Sequence, residues 1–233
     1  MSGSQGTITL GIEMSNPSAG ADGAAAAHAV AMWDAGGALL GSAPLAESRR
    51  GADSVLHAVA ELARACSVTP GDIGRIVVSV GPGGYTALRI ATTSAKVLAD
   101  TLGAELIAVP TARVASVGVA APLRPALIVL ASKKERGHAT LLGSDGSLRA
   151  LGVVGAEALG EHGARAVVSD RHLPGSFRER AGGLGIEVAP IRLDARDLLA
   201  ASDGLEAVDP LRLAPEYARE PDAVTQWRAR GSG

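Results

Sequence analysis

The sequence predicts an α/β protein of two lobes, the second a reduced copy of the first, and three observations predict it. Short β-branched runs alternate with Gly- and Pro-free helical stretches through the first half. A second series of strand-like runs follows a joint marked by Pro110, Pro122 and Pro125. Between the strand-like Arg75–Val80 and the helical Thr86–Leu102 lies Gly81-Pro82-Gly83-Gly84, a strand-to-helix turn around which the first lobe is organised.

Taken in order, Thr7–Glu13 reads as a first strand, and Asn16–Ala27, rich in Gly, Ala and Pro, as a long loose loop. His28–Asp34 and Leu39–Leu45 flank Ala35-Gly36-Gly37, the signature of a hairpin. Asp53 is a candidate N-cap. Behind it Val55, Val59, Leu62, Ala63 and Cys66 keep helical spacing until Thr69-Pro70-Gly71 stops the run. Strand 75–80, the Gly turn, helix 86–102 and strand 105–109 complete a β-β-β-α-β-α-β unit. That order resembles the ribonuclease H-like fold underlying the actin-like and sugar-kinase (ASKHA) superfamily.

In the second half, 126–131, 138–143 and 148–154 read as an antiparallel set with Ser144-Asp145-Gly146 as a turn. Residues 157–162 read as a short helix, 165–169 as a strand and 170–185, polar and broken by Gly and Pro, as loop. An edge strand is expected at 186–191, and a helix capped near Asp194 at 194–202. The lobes are expected to divide at 112/113, with the last ~25 residues packing back on the first lobe.

Composition narrows the function. Aromatics make up 2% of the chain against 47% hydrophobic residues, so the core is aliphatic and few rings are available for stacking bases. A net charge of −2 gives no global attraction for nucleic acid. The basic residues Arg212, Arg219, Arg228 and Arg230 are interspersed with Glu216, Glu220 and Asp222, which reads as a mixed-charge tail. Cys66 is the only cysteine, so neither an internal disulfide nor a cysteine zinc site is expected. It reads as a small buried thiol on the apolar face of its helix. Met1–Gly6 has no signal-peptide pattern and no apolar run approaches ~18 residues, so a cytoplasmic protein without a membrane span is expected.

The Gly turn gathers free backbone N–H groups at a helix N-terminus, where phosphate binds readily, but the residues by themselves favour a tight structural turn. A dinucleotide fingerprint would need Gly where Thr86 stands, and a P-loop would need Gly-Lys-Ser/Thr. Ala87, Ala91, Ala95 and Ala99 fall four apart and form a smooth ridge, suited to an internal helix contact or to a subunit interface.

The segment Gly81–Thr111 closely resembles the bacterial TsaB (YeaZ-type) family, whose pattern is Gly-Pro-Gly-Ser-Phe-Thr-Gly-Leu-Arg-Ile-Gly, an Ala-Lys pair and a strand ending Val-Ser-Thr. Gly81, Pro82, Gly83, Thr86, Leu88, Arg89, Ile90, Ala95, Lys96 and Thr111 fall in register, while Gly84, Tyr85 and Ala87 replace the usual Ser, Phe and Gly. Leu10–Ser15 resembles the opening strand, with Glu13 for the usual Asp. Pro215–Ala223 resembles the closing Pro-x-Tyr-Leu-Arg-x-x-x-Ala. The Asp-Ala-Arg that follows a later strand in the family is replaced by Ala131-Ser132-Lys133. The resemblance is therefore to a divergent member.

That resemblance implies a non-catalytic scaffold subunit for tRNA N6-threonylcarbamoyladenosine (t6A) modification. It would bind a TsaD-like catalytic paralogue and a TsaE-like ATPase, and meet tRNA only through the complex. Its N-lobe helices would carry the partner interface, with Val55, Val59 and Leu62 on one helix and Ala87, Ala91, Ala95 and Ala99 on the next. Glu13 and Ser15 stand where actin-like ATPases handle nucleotide, although a carboxylate ending a strand also reads as a solvated terminus. No cofactor is expected for this chain alone, with ATP/Mg²⁺ at a subunit junction left open. The catalytic paralogue's His-x-x-x-His metal motif has no counterpart, because His28, His57, His138, His162 and His172 are scattered. His57 then reads as an ordinary helix residue. The alternatives are an ATP-dependent small-molecule kinase, a glycoprotease-like enzyme, or a homodimeric regulatory module.

Overall fold

The structure is a computed structural model that describes residues 8–16, 18–19, 28–45, 52–131 and 134–218, and its strands pair into two five-stranded sheets. The first contains β1 (Ile8–Glu13), β2 (Ala29–Trp33), β3 (Leu39–Pro44), β4 (Ile73–Gly81) and β5 (Glu105–Pro110), in the order β3-β2-β1-β4-β5. β1–β2 and β2–β3 are antiparallel, while β1–β4 and β4–β5 are parallel. The second contains β6 (Ala126–Ala131), β7 (Gly137–Leu142), β8 (Leu148–Val154), β9 (Ala166–Ser169) and β10 (Glu187–Pro190), in the order β10-β9-β6-β7-β8. Counted from its own first strand, that is the same order with the same pairing senses. The second half thus repeats the first.

The strand sequences follow their positions. β4 lies centrally and is apolar along almost its whole length because both of its faces are covered. β3 lies at an edge, and its residues are only partly covered. Three cores stack across the molecule. The outer face of the first sheet (Leu10, Ile12, Ile76, Val78) packs on α1 (Ala52–Ala65) and α2 (Tyr85–Leu102). The inner faces of both sheets share a middle core with α3 (Thr111–Val117) and α5 (Leu198–Ala201). The outer face of the second sheet packs on α4 (Gly175–Leu184), with Phe177 fully buried.

The secondary structure read from the sequence differs from that observed in four places. Residues 170–185 were expected as loop, yet α4 occupies 175–184. Its glycines lower helix propensity, but Phe177 and Ala181, one turn apart, are both fully buried, and that packing outweighs propensity. Pro174 at its start and Gly185 in the left-handed conformation at its end are the signals that were overlooked. α3 was not expected. The helix expected at 157–162 is a 3-10 turn at Ala156–Gly160, standing where α1 stands in the first lobe. The helix expected at 194–202 is a 3-10 turn followed by the single turn of α5. The N-cap expected at Asp53 and most of the loop at 16–27 lie outside the described residues or side chains, as do Ser132, Lys133 and the tail beyond residue 218. Cys66, expected to be buried, is half-exposed.

The predicted interface residues also need correcting. Val55, Val59, Leu62, Ala91, Ala95 and Ala99 are buried in the lobe's own core, with Ala87 half-buried against it. The alanine ridge lets α2 lie close to β4 and α1, so it serves the fold and offers no free surface.

After α5 the chain returns to the first lobe as a strap. Ala207 bridges to Ile107, and Val208 N–H donates to the Leu106 carbonyl at 2.8 Å, which covers the edge of β5. Leu213 inserts into the outer core, and Lys96 Nζ donates to the Leu213 carbonyl at 3.1 Å. Glu216 N–H donates to the Val80 carbonyl at 2.7 Å. Gly81 then becomes obligatory. Its φ is +118°, and a Cβ there would collide with the Glu216 carbonyl.

Two substitutions test this packing. Ala91→Glu places a charge without a partner at a position of zero exposure, so it should destabilise the chain by several kcal/mol (about 3 or more), read as the urea midpoint. Gly81→Ala should cost roughly 2–4 kcal/mol through strain plus collision. It should also speed trypsin cleavage after Arg212 as the strap loosens.

Candidate functional site

The end of β1 and the turn between β4 and α2 meet at one point. Gly84 N–H donates to the Ser15 carbonyl at 2.7 Å, and a Cβ on Gly83 would fall on that same carbonyl. The space that a phosphate would use at this helix N-terminus is taken by the chain itself. Of the turn residues, Tyr85, Thr86 and Arg89 face outward. The Tyr85 ring stacks on Tyr217 of the strap, with centroids 5.0 Å apart and planes inclined by 27°. Arg89 lies 5.4 Å from the Tyr85 ring centre and donates to its hydroxyl at 2.9 Å. Pro82 follows a cis peptide bond.

Glu13 and Ser15, the candidate nucleotide groups, are both fully buried. Glu13 Oε1 accepts from Ser15 N–H at 2.7 Å and from Ser15 Oγ at 2.5 Å. Glu13 Oε2 has no partner among the described residues, nor has Thr111 Oγ1 at the start of α3. Burial pushes the Glu13 carboxyl above the ordinary glutamate range, against the pull of its Ser15 and Ser79 neighbours and with help from the negative charge of Asp194. The carboxyl therefore belongs to a closed seam, not to a solvated strand end.

The covering segment after β10 supplies the charges. Asp194 is 5% exposed and receives both Arg196 Nε at 3.0 Å and Nη2 at 2.6 Å, plus the Arg196 N–H at 2.9 Å. Burial works against its ionisation, but the Arg196 hydrogen bonds and the charges of Arg196 and Arg192 outweigh it and hold Asp194 below the usual range. Arg192 pairs with Asp197 at 2.9 Å. At the mouth of the seam, Asn16 Nδ2 donates to Asp170 Oδ2 at 2.7 Å, joining the end of β1 to the end of β9, and His172 Nε2 lies 3.1 Å from Ser18 Oγ. On the far side of α3, Arg113 donates to the Ala201 carbonyl at 2.6 Å and to the Asp203 carbonyl. Sequence reasoning missed this clasp. The Asn16–Asp170 pair is separated by 154 positions, and no local signal announces it.

What α1 and α2 do present outward is a different set of residues from the one expected. Leu56 is 42% exposed on the flank of α1, and Val97 is 56% exposed on the side of α2 opposite its core residues. His57 Nε2 sits 3.0 Å from Glu61 Oε1 one turn along α1. Among the described residues no group of three His, Cys, Asp or Glu side chains could hold a metal ion, and no helix is long and apolar enough to cross a membrane.

Comparison with known proteins agrees with this architecture. The family model described as TsaD: tRNA N6-adenosine threonylcarbamoyltransferase matches residues 37–163, more than half of the chain. The chain is 46% identical over 54 residues to the tRNA threonylcarbamoyladenosine biosynthesis protein TsaB of Bacillus subtilis (strain 168). That match covers 23% of this chain and 24% of the relative, so it spans about a quarter of the curated protein. Two solved Pseudomonas aeruginosa structures share the fold at 18% identity. An uncharacterized protein with similarity to peptidase YeaZ has a TM-score of 0.64, covering 91% of this chain and 100% of its own. YeaZ has a TM-score of 0.62, with coverages of 91% and 99%. With the duplicated two-sheet fold and the motif turn in place, the chain belongs to the family whose model is described as TsaD: tRNA N6-adenosine threonylcarbamoyltransferase.

Proposed function

We propose that this chain is a non-catalytic scaffold or activating subunit in tRNA N6-threonylcarbamoyladenosine modification, binding a TsaD-like catalytic paralogue and a TsaE-like ATPase. The observation that carries the reading is the Gly81–Arg89 motif, in register with the TsaB pattern on a strand–turn–helix of the expected kind. The B. subtilis relative's name points to the same process. The metal-binding histidine pair of the catalytic paralogue has no counterpart here, since one turn beyond His57 stands Glu61. The lobes are taken as 1–112 and 113–233, tRNA is met only through the complex, and the setting is the cytoplasm. ATP with Mg²⁺, if used, belongs to a subunit junction, because Glu13 and Ser15 are closed off.

The docking surface follows from the burial pattern. The helices are those expected, but the residues that meet the partner are the outward ones, Leu56 and Val97, with Tyr85 and Arg89 at the end of α2. Tyr and Arg are the side chains that most often dominate interfaces. An obligate homodimer through the same surface is the competing arrangement, and light scattering with and without the paralogue separates the two.

The deciding experiment is calorimetric titration with the TsaD-like paralogue of the same organism, with and without ATP and Mg²⁺. Saturable binding near one to one is expected, and absence of binding under all conditions would overturn the scaffold reading. Val97→Glu should weaken binding by about tenfold or more while leaving the circular dichroism spectrum unchanged. Binding at wild-type strength would remove α2 from the interface.

A further inference from the structure

Glu13 ends β1 with no exposed surface, and its two carboxyl oxygens are treated unequally. Oε1 takes both donors of Ser15, and Oε2 takes none among the described residues. The groups around it come from every neighbouring element. β4 contributes the Ser79 hydroxyl, which also receives the Met14 N–H at 3.5 Å, and β2 contributes only Ala29 across the ladder. The covering segment contributes Asp194, and its guanidinium groups are already engaged, Arg196 by Asp194 and Arg192 by Asp197.

A carboxylate in this position would leave Oε2 without a hydrogen-bond donor in a buried seam, with the negative charge of Asp194 acting against it. A neutral acid needs only one acceptor for its O–H, and hydroxyl groups line the seam. We propose that Glu13 is a proton-operated latch between the lobes. As the neutral acid it lets the segment 191–201 pack over the inner face of the first sheet, and as the carboxylate it loosens that packing. The raised affinity of this carboxyl for its proton, which burial causes, agrees with the geometry.

The pH dependence has a definite sign. Below the ordinary glutamate value the folded and unfolded chains both hold the proton, and the contribution of the latch is complete. As pH rises through the higher value of the folded chain, the proton leaves and the contribution is lost. The inference is independent of the tRNA reading, because it concerns only how the two lobes of this chain hold together.

The test compares the full chain with Glu13→Gln, which keeps the shape and stays neutral, in melting temperature from about pH 5 to about pH 9. The variant should match the wild type at the acid end and exceed it by roughly 3 °C or more at the alkaline end, with the gap opening as pH rises. Parallel curves, or a gap that narrows with pH, would overturn the proposal. A second measurement needs no variant. The side-chain carboxyl carbon of Glu13, followed by ¹³C NMR in the wild type, should titrate above the ordinary glutamate range, and amide exchange in 191–201 should quicken over the same interval. Titration in the ordinary range, or exchange in 191–201 that does not follow it, would overturn the latch even if Glu13→Gln failed to fold.

Discussion

The molecule depends on how closely three backbone segments approach one another at the end of the first sheet. The Ser15 carbonyl and the Glu216 carbonyl occupy the places where side chains on Gly83 and Gly81 would begin. One segment is the end of β1, one is the turn into α2, and one arrives from the far end of the chain. Any side chain at either glycine would have to displace backbone, which cannot yield as a flexible side chain can. The start of α2, the anchoring of the strap and the closure of the seam all follow from this contact.

Around that point the duplicated topology divides its labour. The first lobe keeps two long helices outside its sheet, and α2 approaches closely because its inward face is alanine. The second lobe replaces α1 by a single 3-10 turn and α2 by a shorter, glycine-bearing helix held by Phe177. Between them, the inner faces of both sheets share one core, so the lobes meet through apolar packing as well as through the polar seam. Polar contacts close the same boundary. Here the Asn16–Asp170 clasp spans it and Glu13 lies sealed behind.

Much of the fold was legible because it rests on local rules. The hairpin around Gly36-Gly37, the strand before Gly81, the Gly-stopped α2 and the antiparallel set in the second half each announce themselves within about ten residues. The misses have one cause. α4 contradicts its own propensity, and only the burial of Phe177 against the second sheet makes it a helix. The α2 ridge shows the same limit from the other side. Four alanines one turn apart declare a close contact, but nothing in their spacing says whether the contacting surface belongs to this chain or to another.

The sequence by itself determined the fold class and the order of elements in the first lobe, because hydrophobic period and turn chemistry are written residue by residue, and the Gly81–Thr111 motif carried the family resemblance. Only the tertiary structure decided which faces remain free and which polar groups are sealed. It turned the alanine ridge inward, left Leu56 and Val97 outside, and buried Glu13 beneath a segment some 180 positions away along the chain. Burial and electrostatic environment are properties of the assembled neighbourhood, and residues far apart in sequence create them together.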